Sequence, residues 1–357
     1  MKNKRIAIIS IQGVPAQYGG FESLVENLIG EHKSPNVHYT VFCSSKDMPQ
    51  KLETYKGATL KYIPLHANGF QSIFYDAISL LRSMRGYDDI LILGISTPIL
   101  WVYKKLCKGK IIVNVDGLSQ FRDKYSKFTQ KYIALLKRNV VHYADVIVSD
   151  NKGIQDFVKE KYGKDSHLIA YGGDHVLKDM PEVQQNAILD KYGLKKGEFA
   201  VSVCRIEPEN NCHMVLEGFA KSGMKLVYIG NWNRSEYGRN LREKYKNNDN
   251  LMILDPIYDL DILYALRSNA KVYIHGHSVG GTNPSLVEAM FFGKPIIAYN
   301  VVYNRETTGN KAAYFTSANE LHHALNDISE ESGNEILKYA YENYTWKHIT
   351  ELYESLY

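Results

Sequence analysis

The stretch HSVGGTNPSLVEAM, residues 277–290, sets one carboxylate, Glu288, four residues beyond Pro284 and just past Gly280 and Gly281. Proline fits the first turn of a helix, and Asn283 or Thr282 fits the cap position before it. The two glycines leave room for a ligand at that helix end. Free N–H groups and the helix dipole, worth roughly 0.3–1 kcal/mol per charge, favour a phosphate there. Glu288 lies one turn further in, beside small Ala289. From there it can accept hydrogen bonds from vicinal ribose hydroxyls while a diphosphate rests on the N-terminus. The alternative is a surface glutamate, against which the neighbours Leu286, Val287 and Met290 argue.

Three other stretches place reactive groups at the ends of apolar runs. In SVCRIEPENN, residues 202–211, Arg205 closes such a run and offers a guanidinium fork suited to a diphosphate. In GVPAQYGGFESLVENL, residues 13–28, Gly19 and Gly20 sit at a strand-to-helix turn, where backbone N–H groups can approach a phosphate or a sugar. The spacing is not GxGxxG, so a dinucleotide fingerprint is weak, and a tight turn needing glycine is the alternative. In NVDGLSQFRDKYSKF, residues 114–128, Asp116 ends a strand-like run before Gly117. It can orient a sugar hydroxyl or accept a proton, or it can simply cap a turn. Downstream, Phe121, Tyr125, Phe128 and Tyr132 interleave with Arg122, Lys124, Lys127 and Lys131. That pattern suits a surface against anionic lipid, and equally a buried aromatic face backed by solvated lysines.

No metal centre is expected. Asp259 and Asp261 form a DxD, but the apolar helical pattern that follows reads them as a cap and a first-turn residue. His275 and His277 make a lone HxH, and Cys43, Cys107, Cys204 and Cys212 are scattered without a CxxC pair. Reduced thiols, the absence of a signal-peptide pattern and of any apolar run long enough to span a bilayer point to the cytoplasm.

The elements that position these groups follow from the alternation of apolar runs and helix-length stretches. RIAIIS, YTVFCS, LKYIPL, DILILG, KIIVNVD and DVIVSD form one series; FAVSVCR, KLVYIG, LMILDP, AKVYIHG and KPIIAYN form a second after the polar stretch 177–197. Near-continuous apolar strands between helices predict parallel sheets covered on both faces, in two Rossmann-like domains. Ligands then bind at the carboxyl ends of the strands. The closing stretch EILKYAYENYTWKHITELYESLY predicts a packing helix anchored by Trp346. Residues 1–170 hold 24 Lys and Arg against 15 Asp and Glu, whereas the remainder holds 19 against 24. A basic first half predicts an anionic partner, and the two-domain architecture argues against that partner being nucleic acid.

These blocks, together with VDGL, SDNKGIQDF and YGGD, resemble the retaining glycosyltransferases of family 4, and more narrowly a bacterial rhamnosyltransferase branch. The resemblance implies a GT-B fold with a deep interdomain cleft. Its expected parts are an acceptor domain over 1–175, a nucleotide-sugar domain over 176–338, and a C-terminal helix over 339–357 returning to the first domain. It implies transfer of a sugar, such as L-rhamnose from dTDP-rhamnose, onto a polyprenyl-diphosphate-linked glycan at the inner membrane surface, with no cofactor beyond the donor substrate. The alternatives are a hexosyltransferase using a UDP- or GDP-sugar, a GT-B-like nucleotide-sugar epimerase and a non-catalytic sugar-nucleotide-binding partner. Asp116, Arg205 and Glu288 would be the catalytic residues. Arg205, Asn210, Gly280, Gly281, Thr282, Asn283 and Glu288 would hold the donor, while Gly19, Gly20, Asp116 and His277 would line the sugar and acceptor side. Two departures stand out: Gly280 occupies the place of a glutamate that the family carries with seven residues between it and the second, and Asn210 that of a diphosphate-binding lysine.

Overall fold

The computed structural model describes residues 3–17, 19–94, 99–115 and 127–357. The chain divides into two compact units, residues 1–171 with 346–357, and residues 172–345. The expected divisions at 175 and 338 therefore fall at 171 and 345.

In the first unit the strands are β1 (Lys4–Ile9), β2 (Val37–Ser44), β3 (Thr54–Tyr55), β4 (Ala58–Ile63), β5 (Asp89–Leu93), β6 (Lys110–Val115), β7 (Val146–Ser149) and β8 (His167–Leu168). They form one sheet in the order β3-β4-β2-β1-β5-β6-β7-β8, parallel apart from the antiparallel pair β3–β4. The central strands are buried on both faces, as Ile6 to Ile9 and Ile90 to Leu93 show, which is why they read as unbroken apolar runs rather than alternating ones. Helices α1 (Gly20–Glu31), α2 (Ser72–Ser83), α3 (Leu100–Leu106), α4 (Lys127–Tyr143) and α5 (Lys152–Tyr162) connect them. Successive strands are laid outward from β1 in one direction up to β4, then from β5 in the other. Right-handed crossovers place α1 on one face of the sheet and α2 to α5 in series on the opposite face.

The second unit carries β9 (Phe199–Val203), β10 (Lys225–Ile229), β11 (Leu251–Leu254), β12 (Val272–His275), β13 (Ile296–Tyr299) and β14 (Ala313–Phe315) in the order β11-β10-β9-β12-β13-β14, all parallel. Its helices are α6 (Glu182–Lys191), α7 (Cys212–Ala220), α8 (Glu236–Tyr245), α9 (Leu260–Asn269), α10 (Pro284–Met290), α11 (Val302–Thr307), α12 (Ala318–Ala324) and α13 (Glu330–Asn343). The polar stretch 177–197 is not a bare separator, since it contains α6, which packs on α9. The strand order reverses between β9 and β12, and the loops leaving these two strands diverge there.

The C-terminal stretch is two helices rather than one. α13 ends at Asn343, and α14 (Trp346–Glu354) begins after Tyr344 and Thr345. The break lets each apolar face reach its own core. Ile336 and Ala340 are buried within the second unit, whereas Trp346, Ile349 and Tyr353 join the first unit's core beside Leu24 and Leu28 of α1. Asn114 on β6 donates its Nδ2 to the Tyr353 hydroxyl at 2.7 Å, tying α14 to the sheet.

Candidate functional site

Two loops at the reversal point of the second sheet bring the sequence-derived candidates together. Arg205 follows β9; His275 ends β12, and Gly276 and His277 follow it. The loops are tied to each other by side chains. Asn210 donates Nδ2 to the Arg205 carbonyl at 2.6 Å, and its Oδ1 lies 2.6 Å from His277 Nδ1. Ser278 donates both its N–H, at 2.9 Å, and its hydroxyl, at 2.8 Å, to the Glu209 carbonyl. Asn304 of α11 donates to the His277 carbonyl at 2.8 Å. Asn210, at the place of the family's lysine and expected on the donor side, is a buried brace whose amide holds the loop. The Arg205 side chain, by contrast, is exposed and forms no ion pair among the described residues.

Helix α10 starts as its sequence requires, with Asn283 at the cap and Pro284 in the first turn. One expectation is corrected here. The first-turn N–H groups are not free: Pro284 has none, Ser285 donates to Asn283 Oδ1 at 3.0 Å, and Leu286 and Val287 donate to the Asn283 carbonyl at 3.0 and 3.2 Å. Any donors for an anion come from the loop before the helix. In that loop Gly280 has φ +137°, and a Cβ there would stand 3.2 Å from His277 Nε2. Glycine adopts that backbone without strain, whereas any side chain would be strained at the position where the family pattern carries its first glutamate.

Glu288 is half-buried, and its partners escaped sequence reading. Arg267, at the end of α9 and 6% exposed, places Nη1 2.9 Å from Glu288 Oε2. His175 Nε2 lies 3.6 Å from Glu288 Oε1. The segment carrying His175 comes this close because Gly173 has no side chain: a Cβ would lie 2.9 Å from the Val287 carbonyl oxygen on α10. One carboxylate oxygen is thus fixed by a guanidinium, while the other faces a histidine and solvent. Arg267 sits inside the apolar helical pattern LYALRSNA, and its buried Nε has no hydrogen-bond partner. Its only signal in the sequence was a cation at a helix position flanked by core residues. His275 is buried with Nε2 likewise unpartnered; burial and nearby His277 push its pKa well below the ordinary histidine value, so it is neutral.

In the first unit, two carboxylates of α1 hold the turn after β1, where a phosphate- or sugar-facing loop was expected. Gln12 donates its N–H to Glu22 Oε1 at 3.0 Å, and Ala16 donates its N–H to Glu26 Oε2 at 2.6 Å. Two carboxylates one helical turn apart on α1 therefore hold the loop from below. A Cβ on Gly19 would fall 2.1 Å from Glu22 Oε2. Burial raises the Glu22 pKa, partly offset by the Gln12 N–H. An acidic floor suits hydroxyl-bearing ligands better than anions. Asp116, Gly117 and the 121–126 part of the aromatic-basic stretch lie outside the described residues, as does the side chain of Phe128.

The DxD resolves as a cap. Asp259 Oδ1 accepts from the N–H groups of Asp261 and Ile262 at 2.8 and 3.2 Å, and Asp261 pairs with Lys178. Among the described residues no group of three metal-ligating side chains converges. All four cysteines are free thiols; Cys43 and Cys212 are buried, and Cys204 is half-buried against the Tyr228 hydroxyl. No helix among the described residues is long and apolar enough to cross a membrane.

Residues 3–174 match the family described as Domain of unknown function (DUF1972), and residues 184–345 match Glycosyl transferases group 1. No curated protein matches the chain. Among solved structures, the chain is similar to sucrose-phosphate synthase from Thermosynechococcus elongatus, with a TM-score of 0.82 and 17% identity over 99% of this chain and 98% of that one. It is similar to Anabaena HepE in complex with UDP-glucose, with a TM-score of 0.74 and 13% identity over 99% of both chains. A trehalose-6-phosphate structure from E. coli bound with UDP-2-fluoro glucose gives a TM-score of 0.71 and 12% identity over 99% of this chain and 98% of that one. The chain has the GT-B fold, and its second unit matches the model of Glycosyl transferases group 1 over residues 184–345.

Proposed function

We propose that the protein transfers a sugar from a nucleotide-sugar donor to a hydroxyl of a lipid-linked glycan, with retention of anomeric configuration. The observation that carries this reading is the Glu288 carboxylate, oriented by Arg267 beside the loops that leave β9 and β12. Its Oε2 is occupied by the guanidinium, and the remaining lone pairs accept from two vicinal ribose hydroxyls. Arg205, exposed and without an ion pair among the described residues, meets the negative charge that grows on the departing diphosphate. The loop backbone over Gly280 to Asn283 supplies further donors, because the helix itself has none to give. The acceptor hydroxyl is the nucleophile, so no bond to the protein forms. Gly19, Gly20 and Asp116 belong to the sugar and acceptor side. There Glu22, on the acidic floor of the first loop, is suited to a sugar hydroxyl.

For the donor, the sequence motifs favour dTDP-L-rhamnose. A UDP-hexose is the second reading, favoured because two structurally similar proteins hold UDP-glucose and a UDP-fluoroglucose. A thermal-shift comparison across dTDP-, UDP- and GDP-sugars separates the two, since the bound donor stabilises the folded state. Glu288→Ala removes hydrogen bonds to a charged group and weakens donor binding by roughly 10-fold or more. Arg205→Ala lowers the transfer rate by about 100-fold or more on a lipid-linked acceptor. Wild-type donor affinity in the first variant, or wild-type turnover in the second, removes that residue from the site.

A further inference from the structure

Three helices on one face of the first sheet present an unusual exterior. α3 and α4 contain no Asp or Glu, and the single carboxylate of α2, Asp76, is buried. Apolar side chains stand exposed on the same three helices and the turn before them: Phe70 at 81% in the turn, Phe74 at 52% on α2, Leu106 at 72% and Trp101 at 46% on α3, and Leu135 at 62% on α4. Basic groups lie between them. Lys105 lies over the Trp101 ring at 5.3 Å, and Lys131 and Arg138 share the outward stripe of α4 with Leu135. Beyond α4, a pocket of about 380 Å³ opens between α4 and α5, lined by Arg138, His142, Lys161, Tyr162 and Lys164 over Val141. Of the neighbouring carboxylates, Asp156 and Asp165 are held by Lys152 and Lys159 and Glu160 is exposed on α5; none lines the pocket.

We propose that this face docks on an anionic lipid bilayer, with Trp101, Leu106 and Leu135 entering the headgroup region and the pocket between α4 and α5 seating a lipid phosphate. The proposal rests on the lipid-linked acceptor reading only for its purpose; its physical basis is separate. Large apolar groups kept in water beside lysines, with no exposed carboxylate on the three helices, complement a surface that is apolar beneath and negative at its edge. The aromatic-basic stretch 121–132 suggests the same partner from sequence, and the exposed apolar and basic side chains stand on α2, α3 and α4.

The test uses the full chain and extruded vesicles of phosphatidylcholine alone or with phosphatidylglycerol at 7:3. The protein is expected to sediment with the mixed vesicles at least 10-fold better than with the neutral ones, and to lose that preference in high salt, where charge attraction is screened. Trp232 and Trp346 are buried in their cores, so a blue shift of tryptophan emission on vesicle addition reports Trp101 and disappears in Trp101→Phe. Leu106→Glu with Leu135→Glu, and separately Lys131→Glu with Arg138→Glu, lower sedimentation at least 10-fold while leaving the melting temperature and donor thermal shift unchanged. Equal sedimentation with both vesicle types, or wild-type sedimentation of both double variants, overturns the proposal. So does a concentration-dependent dimer abolished by Leu106→Glu without vesicle binding, which assigns the face to a second copy. A failed donor screen with intact vesicle binding counts against the donor reading and leaves this one standing.

Discussion

Glu288 and Arg267 form an ion pair in which one partner is almost wholly buried. Such a pair is weak evidence for stability, because desolvation offsets most of the attraction. Its value lies in orientation: the guanidinium fixes one carboxylate oxygen and leaves the other facing His175 and solvent. His275 makes the residue-scale case for a measurable pH effect. Its folded pKa is depressed by burial and by His277, while the unfolded chain titrates near 6.5. Above that value both states are neutral and the histidine contributes no pH dependence. Below it the unfolded state binds a proton that the folded state refuses, so stability falls as pH drops, by about 1.4 kcal/mol per unit. Denaturant melts at pH 7.0 and 5.5 should therefore differ more in the wild type than in His275→Gln, by about 1.4 kcal/mol. Equal pH sensitivity of the two proteins contradicts a neutral buried His275.

At the scale of elements, the start of α10 shows how a short helix is set and what that costs the site. Asn283 Oδ1 accepts from both the Ser285 N–H and the Ser285 hydroxyl, at 3.0 and 2.8 Å, closing the first turn. The cap stabilises the helix but removes the donors that an anion would use. Asn283→Ala should cost about 1 kcal/mol in urea unfolding, and Asn283→Asp should recover most of it, since an aspartate offers the same acceptor. Loss of the same size in both variants points to a role other than capping. Much of this was legible in TNPSLVEAM, because caps and first-turn prolines are local signals. The use of every first-turn N–H was not, since it depends on backbone geometry. Neither was the break between α13 and α14. The run through residue 357 keeps a helical period across Tyr344 and Thr345, and only the separate burial of Ala340 and Trp346 in two cores forces the chain to turn.

For the whole molecule, the last helix completes the first unit although the whole of the second is inserted before it in sequence. Trp346, Ile349 and Tyr353 fill the layer between α1 and the sheet, and Lys110 donates to the Leu356 carbonyl at 2.9 Å. Trp346→Ala should cost the first unit about 3–5 kcal/mol. Hydrogen exchange is the suitable readout, since two units need not unfold together. Protection should fall along α1 and β1 and stay near wild type along β9 and β12. A uniform loss through both units indicates instead that they unfold as one.

The alternation of apolar runs with helix-length stretches was sufficient to establish two parallel α/β units and the ends of strands where chemistry sits. Apolar periodicity is a local property, written residue by residue, and β1, β9 and β12 follow from it directly. Arg205 and the loop before α10 were legible for the same reason, as polar groups placed at the ends of apolar runs. Strand order is not written that way. It decides that β9 and β12 are neighbours, that Asn210 reaches His277, and that Arg267 on one helix meets Glu288 on the next. It also sets α2, α3 and α4 side by side, with their carboxylate-free faces outward. These pairings join positions far apart in the chain through space that only packing defines, so the tertiary structure alone decided them.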